Sequence, residues 1–181
     1  MVRSSSAIVT GLTAAALTAI GFLAYQASAH VPSDLNAARP AESADAKAPR
    51  DKNHPTALPA ASGEGRRVVY SVDDDRVWLV GARDRVRRTF KVTPGTVDPT
   101  PATYIVTSRS GRVTGSDGVA VEHVVRFTKT NGTPIGFSAA TNGSTAPPTP
   151  TKKLGGIRET REDGTTMWNF ATIGTRVAVI K

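Results

Sequence analysis

A reactive centre in this chain would have to be assembled from few residues. The run Lys153-Leu154-Gly155-Gly156-Ile157-Arg158 joins a glycine turn to an arginine. A guanidinium in such a place either grips a carboxylate through paired N–H groups or holds its own loop in shape, and both roles are open for Arg158. No nucleophile stands in the run. The chain has no cysteine, which removes disulfides, thiol attack and thiolate metal sites together. Ser138 carries a hydroxyl, but it has neither a Gly-x-Ser-x-Gly setting nor a lysine three residues on to deprotonate it. His123 is the single histidine of residues 66–181, with no nucleophile near it in any motif, so it reads as a packed strand histidine and not as a base. His30 and His54 fall outside that region, so no metal site and no cofactor is expected. A second group of candidates is cationic. Arg83, Arg85, Arg87 and Lys91 share one parity and Arg88 takes the other, so the four would line one face of a strand, either as a solvated face or as an anion-binding stripe.

The elements that must position these residues occupy the second two thirds of the chain. In its 181 residues the formal net charge is +8, and all of the excess falls on residues 66–181, where eighteen basic residues face ten acidic ones. Such a balance favours anionic partners, although a basic surface kept for solubility would give the same count. Residues 7–25 form an uncharged run rich in Ala, Leu, Ile and Thr behind Arg3. With the small residues Ala27 and Ala29 after it, the run reads as a signal peptide cleaved before His30, or as an uncleaved membrane anchor; either way the rest of the chain is expected outside the membrane. Residues 30–65 are low in large apolar residues and punctuated by five prolines, the composition of a disordered linker.

From residue 66 the texture changes to short β segments. Val68, Tyr70 and Val72 alternate; residues 76–80 follow the turn at Asp73-Asp74-Asp75; residues 85–92 follow the turn at 81–84, with Val86, Phe90 and Val92 on one parity. Residues 103–108, 119–127 and 135–140 supply further strands, and 141–153, with prolines at 147, 148 and 150, form a polar loop of the kind that rims a groove. Asp163-Gly164-Thr165 is placed to cap a short helix through Ala171, with Met167, Trp168 and Phe170 turned inward, before the last strand at 177–180. Trp78 and Trp168 read as core residues.

With these flanks, the 153–158 run resembles the active-site segment of the L,D-transpeptidases (the YkuD-type domain), which reads Ser-His-Gly-Cys-x-Arg before a helix and a final Gly-Thr-x-Val-x-Ile strand. Arg88-Thr89-Phe90-Lys91-Val92-Thr93-Pro94-Gly95 and Thr100-Pro101-Ala102-Thr103-Tyr104 follow the order of that family's earlier segments, though the glycine after Thr-Pro is missing and the aromatic arrives one residue early. The similarity covers about residues 66–181. It implies a mainly β fold, an L,D-transpeptidase-like β-sandwich of two packed sheets with one short C-terminal helix, preceded by the signal or anchor segment (1–29) and the linker (30–65). Aligned on Gly155 and Arg158, the family's cysteine position is Gly156, its histidine Leu154 and its serine Lys153, while Ser138 stands about where members carry a second histidine.

The frame is therefore present and the family's thioester chemistry is not. The leading expectation is an exported, non-catalytic L,D-transpeptidase-like protein associated with the cell wall, binding peptidoglycan or an anionic wall polymer through its groove and basic surface. One alternative is a peptidoglycan cross-linking enzyme of the family with a non-cysteine nucleophile. Another is a basic extracellular domain with a structural or partner-binding role. No nucleic acid is expected as partner, and a membrane only through an uncleaved N-terminal segment.

Overall fold

The structure is a computed structural model and describes residues 53–181. The expected signal or anchor segment, and the linker up to residue 52, lie outside the described residues. Strand β1 (Arg67–Ser71) is buried along its whole length because it is central and covered on both faces, which is why its apolar run is nearly continuous. It pairs antiparallel with β2 (Arg76–Val80) and parallel with β9 (Arg176–Ile180). The β3 strand (Val86–Lys91) and β4 (Ala102–Ile105) complete a five-stranded sheet in the order β3-β2-β1-β9-β4. A second sheet, in the order β5-β6-β7-β8, is built from β5 (Ser108–Thr114), β6 (Ala120–Thr130), β7 (Thr133–Ala140) and β8 (Gly156–Glu159). The inner faces meet through Val68, Tyr70, Leu79 and Val177 on one side and Val125, Phe127, Phe137 and Ile157 on the other. Tyr70 meets the Phe137 ring edge-on at 5.9 Å, and Phe127 stacks on Phe137 at 5.2 Å. Two antiparallel-dominated sheets over one apolar layer make the expected β-sandwich.

Several boundaries differ from those the sequence suggests. The connector was expected to run to Gly65, yet the packed chain starts earlier. Trp78 Nε1 donates to the carbonyl of Thr56 at 2.9 Å, and Leu58 packs on Val69, Trp78, Val80 and Ala178, covering the outer face of the large sheet. Arg67, almost wholly buried, donates to Ser62 Oγ at 3.0 Å and fixes the end of this strap. One leucine and a few backbone carbonyls suffice for that, a signal too sparse to read from composition.

The expected strand 103–108 is broken by a corner at Val106-Thr107, between the end of β4 at Ile105 and the start of β5 at Ser108. Val106 N–H donates to Thr175, just before β9 of the large sheet, and Thr107 N–H to Arg126 in the small one, so the chain changes sheets between them. The alternation expected for Val86, Phe90 and Val92 breaks at a bulge: Leu79 faces Arg88 but Val80 faces Val86, which leaves Val86 exposed. In β6 a second bulge sets His123 at φ +56°, so Val121 and Val125 do not share one simple parity with it. Helix α1 (Arg161–Phe170) begins earlier than expected, with Thr160 as its cap: the Asp163 N–H donates to Thr160 Oγ1 at 3.1 Å, and the Thr160 hydroxyl donates to the Asp163 carboxylate at 2.7 Å. Met167 and Phe170 enter the core, and Trp168 packs against its edge.

Candidate functional site

The outer face of the small sheet is a floor of small side chains. Gly136, Ser138 and Ala140 of β7 lie beside Gly156 and Arg158 of β8, with Gly136 opposite Gly156 and Ser138 opposite Arg158 in a parallel register. Above the floor stands a cleft of about 370 Å³. One wall is the proline-bearing loop after β7, with Asn142, Ser144, Pro147 and Pro148 facing the cleft. Threonines pin that loop: Thr93 Oγ1 donates to the carbonyl of Thr145 at 2.8 Å, and Thr96 Oγ1 donates to that of Lys152 at 2.5 Å while accepting from the Leu154 N–H at 2.9 Å. The opposite wall is the β5–β6 turn, where Val119 N–H caps on Asp117 Oδ1 at 3.0 Å.

Arg158 crosses the cleft. Its Nη2 donates to Asp117 Oδ2 at 3.0 Å, with the side chain only 13% exposed. The other terminal nitrogen, Nη1, is buried and has no partner among the described residues. A planar fork with one tine engaged and the other buried and unpaired matches the paired oxygens of a carboxylate or phosphate, once a side-chain shift brings that N–H to the cleft. Arg126 also lines the cleft, its Nη1 donating to Ser110 Oγ at 3.0 Å, so two guanidinium groups face one carboxylate there. Neither Arg126 nor Asp117 was singled out from sequence. The Ser116-Asp117-Gly118 turn is legible, but its reach to Arg158, forty-one residues on, is not.

Of the residues marked from sequence, Ser138, Leu154, Gly156 and Arg158 come together at the cleft, and Gly155 sits beneath it. Lys153 is exposed on the rim loop and does not line the cleft. Among the described residues no histidine or lysine lines it either. His123 packs elsewhere, its ring 5.5 Å from that of Trp168, which also carries the Arg109 guanidinium at 3.6 Å. Among the described residues no cluster of His, Cys, Asp and Glu could hold a metal ion.

The basic residues of β3 do not form one stripe. Arg83 and Arg85 belong to the turn before the strand, Arg87 is the bulged residue, and Lys91 lies at the far end, donating to the carbonyl of Asp74. Arg88 points the other way and binds Asp163 at 2.8 Å and Glu162 at 2.9 Å on α1.

The glycines differ sharply. A Cβ at Gly155 would lie 2.3 Å from the Pro134 carbonyl oxygen, whereas one at Gly156 would meet nothing within 4 Å. Gly155→Ala is expected to cost about 2 kcal/mol because backbone must move, and Gly156→Ala to be close to neutral, as chemical denaturation of the two variants would measure. On the inner face, next to Arg158, Glu159 is only 1% exposed and neither carboxylate oxygen has a partner among the described residues. Burial first, and the charge of Asp163 second, push its pKa well above the ordinary glutamate value.

Comparison with solved structures identifies the architecture: the chain has the L,D-transpeptidase (YkuD-type) fold. An L,D-transpeptidase from Stackebrandtia nassauensis superposes with a TM-score of 0.57 at 15% identity, over 70% of this chain and 62% of that one. One from Xylanimonas cellulosilytica gives 0.51 at 16% identity, over 70% and 65%. A fused Zn-dependent amidase/peptidase/peptidoglycan-binding protein from Clostridium acetobutylicum gives 0.51 at 14% identity, over 63% and 51%. The chain thus spans between half and two thirds of the length of these proteins. Neither family models nor curated protein sequences match it.

Proposed function

We propose that the chain is an exported, non-catalytic protein of L,D-transpeptidase-like fold that associates with the cell wall, its cleft holding an anionic group of peptidoglycan or of a wall polymer. One observation carries this reading: the cleft keeps an arginine with a buried, unpaired N–H, while the positions that would attack and deprotonate are Gly156 and Leu154. Ser138 is the one candidate for a different nucleophile. The cleft offers it no base, because the single carboxylate there, Asp117, is committed to Arg158. The named relatives include transpeptidases and a peptidoglycan-binding protein, which supports a wall ligand in general.

Incubating the protein with tetrapeptide-bearing muropeptides, and scoring binding and new cross-links together, tests this. Binding without cross-links is expected, weakened about tenfold or more by Arg158→Gln, since a charge-assisted hydrogen bond contributes roughly 1.5–3 kcal/mol. New cross-links would establish the enzyme reading instead. Absence of binding to both muropeptides and insoluble wall at low salt would leave the basic domain in a structural or partner-binding role.

A further inference from the structure

The two ends of the five-stranded sheet differ in charge. Register places the starts of β1, β3 and β9 together with the ends of β2 and β4, because Arg67 faces Val80, Val80 faces Val86, Val68 faces Val177 and Ile105 faces Arg176. Six arginines gather there, at 66, 67, 83, 85, 87 and 176, against Glu64 and Asp84. The Asp84 carboxylate is part-exposed, its side chain 45% accessible, and is engaged by Arg67 at 2.5 Å and by the Gly65 N–H at 2.9 Å. Arg66 and Arg176 donate to backbone carbonyls, those of Phe170 and Glu64, and neither forms an ion pair among the described residues, although the charge of Arg176 acts on the nearby Asp84. Arg83, Arg85 and Arg87 are exposed and form no ion pair among the described residues. The opposite end carries Asp73, Asp74, Asp75 and Asp98 against Arg76, Lys91 and Lys181.

The basic end also holds the exposed large apolar side chains: Ile173 at 68%, Ile105 at 53% and Val86 at 41%. Ile173 precedes Gly174, whose N–H donates to the carbonyl of Val106 at 2.9 Å, which sets its loop beside Ile105. Single exposed apolar residues need no explanation, but three at one end, among six arginines that face two carboxylates, do. A hydrated polyanion would satisfy the arginines and leave the isoleucines in water. A bilayer surface offers anionic headgroups and an acyl boundary within a few ångströms of each other.

We propose that this end of the domain docks on an anionic membrane surface, with Arg83, Arg85 and Arg87 on headgroup phosphates and Ile105, Ile173 and Val86 at the acyl boundary. None of these residues lines the cleft, so the contact is independent of the wall-binding reading.

Because the chain has no cysteine, Ile173→Cys creates a unique site for an environment-sensitive fluorophore, with Thr100→Cys as the reference near the opposite end. The full chain is presented with phosphatidylglycerol/phosphatidylcholine vesicles and with phosphatidylcholine alone. Any insertion by residues 7–25 is common to both labels and both lipids. The label at 173 is expected to shift to the blue on the anionic vesicles only, the label at 100 to stay in water, and high salt to reverse the shift. Combining Arg83→Glu, Arg85→Glu and Arg87→Glu should weaken docking about 100-fold or more, at about a fivefold loss for each arginine removed from an anionic surface, and abolish the shift. A 173 label that stays in water on anionic vesicles, or responds equally to neutral ones or at both positions, overturns the proposal. If it stays in water while soluble polyphosphate binds and the triple variant does not, the end is a polyanion site and not a membrane one.

Discussion

Replacing Glu159 with leucine is expected to stabilise the domain by about 3 kcal/mol at neutral pH, since a buried polar group without a partner costs roughly 1–3 kcal/mol and this carboxyl has two such oxygens. Glu159→Gln isolates the proton. Burial raises the folded-state pKa well above the ordinary glutamate value, so the fold holds the proton after the unfolded chain has released it. The contribution of Glu159 to stability is therefore complete below the ordinary glutamate value and is lost as pH rises toward the folded-state value. Glu122 and Asp84 act in the opposite sense. Their carboxyls are held low, chiefly by hydrogen bonds from Arg161 and Arg67 respectively, and their stabilisation is lost as pH falls. The informative quantity is thus the difference between Glu159→Gln and the native protein in urea unfolding at each pH. That difference should grow in favour of glutamine as pH rises above the ordinary glutamate value, the direction set by proton linkage. A flat difference would mean that Glu159 has a partner after all.

Glu159 also shows why the interior was harder to read than the strands. Alternation predicts that neighbours on β8 face opposite ways, but not which of Arg158 and Glu159 faces the cleft. The inward choice follows from Ile157 and Glu159 sharing the face on which α1 packs, where a Cβ on Gly164 would lie 2.9 Å from Ala139 and 3.5 Å from Glu159. A charged residue is here a core residue. Strands β1, β2, β7 and β9 were legible because apolar pattern and turn residues agree. The β5 strand was not, since Ser108-Arg109-Ser110-Gly111-Arg112-Val113-Thr114 holds one large apolar residue and gains its place by pairing with β6. The corner at Val106-Thr107 has neither glycine nor proline to mark it.

The candidate site was legible in part for a different reason. Ser138, Leu154, Gly156 and Arg158 were found through the order of motifs, and a parallel pairing of β7 with β8 brings them together. Asp117 and Arg126 come from β6 and its hairpin, whose bulges at 122–125 and 126–128 break the alternation that would have marked them as cleft-facing. The basic stripe failed for the same cause: a bulge moved Arg87 out of step with Lys91, and the turn took Arg83 and Arg85 off the strand.

The largest chemical effect is expected from restoring a nucleophile. Gly156→Cys should fold as the native chain does, because the space above that Cα is open, and its side chain would project into the cleft. Alone it should react poorly, since Leu154 is apolar and 6% exposed and no group lining the cleft can take the thiol proton. Adding Leu154→His supplies an imidazole two residues away on the same side of the chain. A positioned base contributes about 10²–10⁴-fold, so the double variant should be acylated by a carbapenem at least about 100 times faster than the single one. In that step the thiolate sulfur bonds to the β-lactam carbonyl carbon, the ring C–N bond breaks, and the imidazolium proton passes to nitrogen. Intact-mass measurement should show the whole carbapenem added to the double variant and no adduct on the native protein. If the native protein gains that mass, the cleft already holds a nucleophile, Ser138 is the group to replace next, and the non-catalytic reading falls. If the double variant stays unmodified while remaining folded, the walls formed by the 141–153 loop and the Asp117 turn do not leave the approach that the register of Gly156 and Arg158 implies.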